Sequence, residues 1–122
     1  MKDEGALIPL RQRTTEFALR VVRMYSSLPK SRIAQTLGLQ ALRSGTSVGG
    51  QYREAYRARS DAEIISKLES VLQELDETSY WLELLVGSDV VPAKQLTELR
   101  KEADELTAIL VAVVRKIKSR RK

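Results

Sequence analysis

Arg53 and Arg57, and Tyr52 and Tyr56, form two adjacent pairs four residues apart in QYREAYRARS, with Arg59 just beyond. A spacing of four puts both members of a pair on one face of a helix. Guanidinium groups there bind phosphate oxygens and phenol rings stack on unpaired bases, which is the chemistry of nucleic-acid recognition. A structural role accounts for the same residues. The tyrosines border a core, and the arginines pair with Asp61, Glu63, Glu69 and Glu74 of the next segment. A second basic group closes the chain: Arg115, Lys116, Lys118, Arg120, Arg121 and Lys122 place six cations in eight residues, with no acid among them. It reads either as a frayed, solvated tail with favourable charge at a helix C-terminus, or as a polyanion surface on which each phosphate contact releases counterions.

Other chemistry is scarce. Cysteine and histidine are both absent, which removes disulfides, thiolate and imidazole metal sites and histidine-activated nucleophiles. Glu74, Asp76 and Glu77 form a carboxylate cluster, but with no second cluster it reads as a solvated acidic face, so neither a metal nor a cofactor is expected. Tyr80 and Trp81 suit a core or an interface better than a base-stacking platform. Arg43, within RSGTS, lies beside a run of small residues and is predicted to be a buried structural ion pair with an acid of a neighbouring helix. No constellation supports an enzyme. The longest apolar run, Ala108 to Val114, is seven residues, far short of the roughly 20 a membrane span needs. The N-terminus lacks the apolar core of a secretory signal, so a soluble cytoplasmic protein is expected.

The elements that position these residues follow from periodicity. The 122 residues suit one domain with a sizeable core. A first helix is predicted over about Thr14–Leu28, where Phe17, Val21, Met24 and Leu28 repeat before Pro29 stops it. Ala6 to Leu10 reads as an apolar lead-in. A second helix begins near Ser31 and reaches about Ala58. It is rich in glycine, a poor helix former, yet Leu37, Ala41, Ser44, Val48, Tyr52 and Ala55 keep one face throughout. Continuity is therefore favoured over a break near Gly45 or Gly49. Ser60 and Glu63 form a capping box for a third helix. Its stripe of Ile64, Leu68, Val71, Leu75, Thr78, Leu82 and Leu85 runs to a close at Gly87. Pro92 opens a fourth helix, with Leu96, Leu99, Ala103, Leu106, Leu110, Val113 and Ile117 facing inward. The fold class is all-α, an antiparallel up-down-up-down four-helix bundle.

Two further patterns bear on partners. Residues 30–60 carry six basic residues against one acid, whereas residues 61–87 carry one against seven. This asymmetry reads as charge complementarity within or between chains, or as an unpaired basic surface for a polyanion. The fourth helix also bears Ile109, Val111 and Val114 outside its core stripe. One bundle would leave such a face wet unless it covers the first helix or meets another copy. A homo-oligomer interface at these three residues is expected.

Three strings in order carry a family resemblance: RTTEFALRVVRMYSSLP (13–29), QALRSGTSVGGQYREAYRARSDAEIISKL (40–68) and ELDETSYWLELL (74–85). Together they resemble the bacterial 23S ribosomal RNA intervening sequence proteins. The resemblance implies an antiparallel four-helix bundle assembled as a ring-shaped homopentamer, and it supplies no catalytic residues. It also brings a distant relative, the accessory variability determinant of diversity-generating retroelements, which binds nucleic acid and a reverse transcriptase. The chain has no close match to that branch.

The expected function is a non-enzymatic oligomer that binds RNA or DNA through Tyr52, Tyr56, Arg53, Arg57, Arg59 and the basic tail over residues 115–122. The competing expectation is a protein-interaction scaffold or accessory subunit, for example of a reverse transcriptase, with no nucleic-acid specificity of its own.

Overall fold

The computed structural model describes residues 4–120, with side chains from Pro9 onward. Four helices occupy that length: α1 (Glu4–Ser26), α2 (Arg32–Tyr56), α3 (Asp61–Gly87) and α4 (Ala93–Arg120). There is no strand among the described residues. The connections are short, so each helix returns alongside the one before it. α2 packs between α1 and α3, and α3 packs on α4. α1 and α4 meet along a much thinner seam.

Local chemistry sets most of the boundaries. The Ser31 hydroxyl accepts from the Ala34 N–H at 3.2 Å and opens α2. The Ser60 hydroxyl accepts from the Glu63 N–H at 3.1 Å and opens α3, and Asp61 and Glu63 add negative charge where the helix dipole favours it. Pro92 directly precedes α4.

Two boundaries differ from the sequence expectation. α1 begins at Glu4 rather than Thr14, and the supposed lead-in is helical, with Pro9 inside it. Pro9 is the sixth residue of α1, so its ring costs one backbone bond just past the first turn, while its fixed φ is already helical. α3 does end at Gly87, but the left-handed residue of the turn is Asp89, with φ 63°. There the Val90 and Val91 N–H groups both donate to the Leu85 carbonyl, at 3.1 and 3.2 Å.

The core draws Phe17, Val21, Met24 and Leu28 from α1 and the predicted stripe from α3. α2 contributes mainly small residues, and it is continuous through Gly45 and Gly49. A Cβ at Gly45 would stand 2.8 Å from Val21 Cγ2, so the bare glycine sets the closeness of α1 and α2. Across the α2–α3 interface the fully buried Ser44 and Thr78 hydroxyls lie 2.8 Å apart. In α4 the stripe steps from Leu110 to Val114 to Ile117, and Val113 sits at the core margin. Val114 is thus a core residue and not an oligomer contact. Ile109 also packs against the core, and Val111 is half-buried.

No helix among the described residues is long and apolar enough to cross a membrane.

Candidate nucleic-acid interface

The up-down topology carries the end of α2, the start of α3 and the end of α4 to the same end of the bundle. Two basic groups far apart in sequence therefore become neighbours. Contacts fix the arrangement: Arg120 Nη2 lies 3.2 Å from Asp61 Oδ1, and Lys118 Nζ lies 3.2 Å from Glu69 Oε2. Lys67 Nζ reaches back to Glu54 Oε1 at 2.8 Å, and that hydrogen bond raises the lysine pKa.

These pairs divide the predicted residues. Lys118 and Arg120 are engaged by acids of α3, a pairing expected for Arg53 and Arg57 and not for the tail. The tail is not frayed over the described residues, since α4 stays helical to Arg120 and buries Ile117 completely. Arg121 and Lys122 lie outside the described residues. Arg57, Arg59 and Arg115 are exposed and make no ion pair among the described residues. Lys116 is exposed as well. Arg53 is exposed, with Nη2 3.4 Å from Thr15 Oγ1.

The two tyrosines separate sharply. Tyr52 is fully buried, and that burial, followed by the influence of Tyr56, pushes its phenol pKa up. No base can stack on it, which corrects its place in the binding set. Tyr56 is half-buried, and the Arg11 guanidinium carbon stands 5.6 Å from its ring centroid. That geometry is a cation–π contact.

Arg43 pairs across helices as expected, with Nη2 3.4 Å from Glu77 Oε1, but its side chain is 59% exposed. The prediction of a buried pair is therefore wrong in burial and right in partner type. Arg43 points outward from the small-residue stripe, and it is Ser44 that turns inward. Glu74 accepts from Gln51 Nε2 at 3.3 Å, so two acids of the carboxylate cluster are tied to α2 rather than simply solvated. No group of three carboxylates able to hold a metal ion occurs among the described residues. Trp81 is half-buried against the core, and exposed Tyr80 meets it edge-on with centroids 5.1 Å apart.

Sequence reasoning missed α1. Arg11, Gln12, Thr15 and Glu16 line a cleft with Arg53 of α2. Placing the start of α1 at Thr14 left Arg11 off the helix, so the four-residue spacing from Arg11 to Thr15 carried no weight. It also missed Arg13, which holds Glu102 bidentately at 2.7 and 2.8 Å and approaches Glu105 at 3.4 Å. The hydrogen bond from Arg13 holds the Glu102 carboxyl below the usual carboxylate range, against the opposing effect of its partial burial.

The family described as 23S rRNA-intervening sequence protein matches residues 8–112. The chain belongs to this family. The match spans most of α1, all of α2 and α3, and most of α4. Among solved structures, a protein with unknown function from the S23 ribosomal protein family of Bacteroides thetaiotaomicron is similar, at 36% identity and a TM-score of 0.80. The similarity covers 85% of this chain and 96% of that one. No curated protein matches. Membership of the intervening-sequence family accounts for the four-helix architecture. Its name associates the family with ribosomal RNA, whereas the basic end is a property of these residues.

Proposed function

We propose that the chain is a non-catalytic, cytoplasmic, self-associating protein that binds RNA through the basic end of its bundle. One observation carries the reading: Arg53, Arg57, Arg59 and Arg115 stay exposed at that end, while Asp61, Glu69 and Glu54 are already taken by Arg120, Lys118 and Lys67. The remaining positive charge suits phosphates, and the family name points to RNA among the polyanions.

Titration of a fluorescent structured RNA at several salt concentrations tests it. Binding should weaken as salt rises, with a log–log slope of about 0.7–0.9 per phosphate contact. The combined substitution R57Q/R59Q/R115Q should lower that slope by about 2. Truncation at residue 115 is a poorer test, because it removes Ile117 from the core. Failure to bind at low salt, or an unchanged slope in the triple variant, would reject the basic end as the interface.

Self-association belongs to the same reading, with the family-implied homopentamer as the expected state. Leu19, Val22 and Leu39 are exposed apolar residues on α1 and α2, and they are better placed for contact between copies than Val114. Light scattering at micromolar concentration should give a multiple of the 13.8 kDa subunit. A single subunit mass would reject it.

Exposed Ile33 and Tyr80 favour a second reading, a protein-interaction scaffold, because they are large apolar side chains open to solvent. Partner capture that survives nuclease treatment supports this scaffold. Partner loss on treatment supports RNA bridging.

A further inference from the structure

We propose that the cleft between the first half of α1 and the last turns of α2 binds a phosphodiester, a reading that rests on the nucleic-acid function proposed above. The cleft is lined by Arg11, Gln12, Thr15 and Glu16 from α1 and by Arg53 from α2. Its volume of about 560 Å³ exceeds what one phosphate needs and falls within the ~300–1,000 Å³ range of small-ligand sites.

Both guanidinium groups are positioned without being neutralised. Arg11 stands over the Tyr56 ring at 5.6 Å, and Arg53 makes only a long contact, 3.4 Å, with the Thr15 hydroxyl. Neither makes an ion pair among the described residues. A 3.4 Å bond to a neutral oxygen is weak, so a charged phosphate oxygen displaces it at little cost. Thr15 then stays oriented, because its hydroxyl donates to the Arg11 carbonyl at 3.0 Å.

The two arginines come from different helices that lie side by side at this level. A Cβ at Gly49 would make ordinary contact, 3.4 Å, with the Thr14 carbonyl oxygen, so α2 lies against the α1 backbone here without depending on a bare glycine. Gly50 has nothing within 4 Å of its Cβ position, which leaves the neighbouring surface open to a ligand. Arg57, one turn beyond Arg53, continues the positive charge towards the basic end. The planar Arg11 guanidinium, fixed by Tyr56, also offers a stacking surface for a base adjoining the bound phosphate.

Charge selects the ligand class. Two guanidiniums and the Glu16 carboxylate leave the lining with a net charge of +1. A phosphodiester carries one negative charge and balances it. A phosphate monoester carries nearly two and meets the carboxylate, so it is the poorer ligand.

The test uses the full chain and two small probes: the dinucleotide UpU, which carries one diester, and uridine 5′-monophosphate. NMR amide shifts of Thr15 and Gly50 report occupancy, and circular dichroism checks the fold of each variant. UpU should move both amides in the wild type, and R11Q/R53Q should abolish the shifts. Glu16→Gln, which keeps both arginines, should strengthen binding of the monophosphate more than that of UpU. RNA affinity in R11Q/R53Q should fall about tenfold or more, with the salt slope reduced by about 0.7 per lost contact.

Unmoved amides in the wild type, or equal shifts in R11Q/R53Q, overturn the proposal. So does RNA binding that is lost in R57Q/R59Q/R115Q but unchanged in R11Q/R53Q, in which case the basic end alone is the RNA surface. Amide shifts with UpU but no binding of longer RNA support the cleft as a diester site and reject the RNA function.

Discussion

Gly45 and Gly50 sit five residues apart in α2, and alanine should act oppositely at the two positions. At Gly45 the new methyl would stand 2.8 and 2.9 Å from the two γ-carbons of Val21, a fully buried side chain with no room to yield. Such overpacking costs roughly 1–3 kcal/mol and outweighs the about 1 kcal/mol that alanine gains over glycine in a helix. At Gly50 the methyl meets nothing, so Gly50→Ala should stabilise by about 0.5–1 kcal/mol. Urea denaturation of both variants checks the pair, and equal shifts of the same sign would refute close packing at Gly45. The sequence indicated that the small residues form a packing stripe, because their spacing matches one helical face. It did not reveal which neighbours of that stripe turn inward. Tyr52 continues the face of Val48 and Ala55 and is buried away from solvent, whereas Arg43 is one residue from buried Ser44 and lies outside. A step of one residue turns a helix by about 100°, so adjacent side chains have unrelated fates.

Among the helices, the starts of α2, α3 and α4 were legible because capping serines and a proline act locally. The two boundaries that differed depend on context. Pro9 is a helix breaker in the middle of a helix but not near its start, so the sequence alone could not extend α1 back to Glu4. That extension builds the proposed diester cleft, because it places Arg11 and Thr15 on one helix opposite Arg53. At the end of α3, Gly87 suggests a left-handed cap, yet the positive φ falls on Asp89. An L-residue in that conformation is strained by roughly 1 kcal/mol relative to glycine. Asp89→Gly should recover much of this and raise the thermal midpoint by a few degrees, since about 1 kcal/mol shifts a domain of this size by roughly 3–6 °C. A lower midpoint would mean that the Asp89 side chain contributes more than its backbone strain costs. The basic tail follows the same logic. Its composition looks like a solvated end, but Ile117 anchors it in the core and α3 supplies acids alongside.

Across the whole bundle, the weak seam is the one between α1 and α4. Towards the α3–α4 connection these helices part into a cleft between Met24 and Leu28 on one side and Leu96 and Leu99 on the other. Towards the basic end, Arg13 bridges the seam through its bidentate bond to Glu102. The folded carboxyl of Glu102 titrates below its unfolded value, chiefly because it accepts from Arg13. The unfolded chain therefore binds more protons over that interval, and stability falls as pH decreases. The contribution is complete above the ordinary glutamate value of about 4.3 and disappears as pH falls through the lower folded value. Arg13 is 36% exposed and solvent screens it, so the contribution is held to about 1 kcal/mol. Glu102→Gln should thus be less stable than the wild type by about that amount at pH 7 and equally stable near pH 2. The difference between the two curves isolates this pair from the other carboxylates that titrate in the same range. Hydrogen exchange places the loss: at pH 7, amides of α1 should open faster in Glu102→Gln, while those between α2 and α3 stay unchanged. Parallel pH profiles for the two proteins would show that the seam is closed by apolar packing alone.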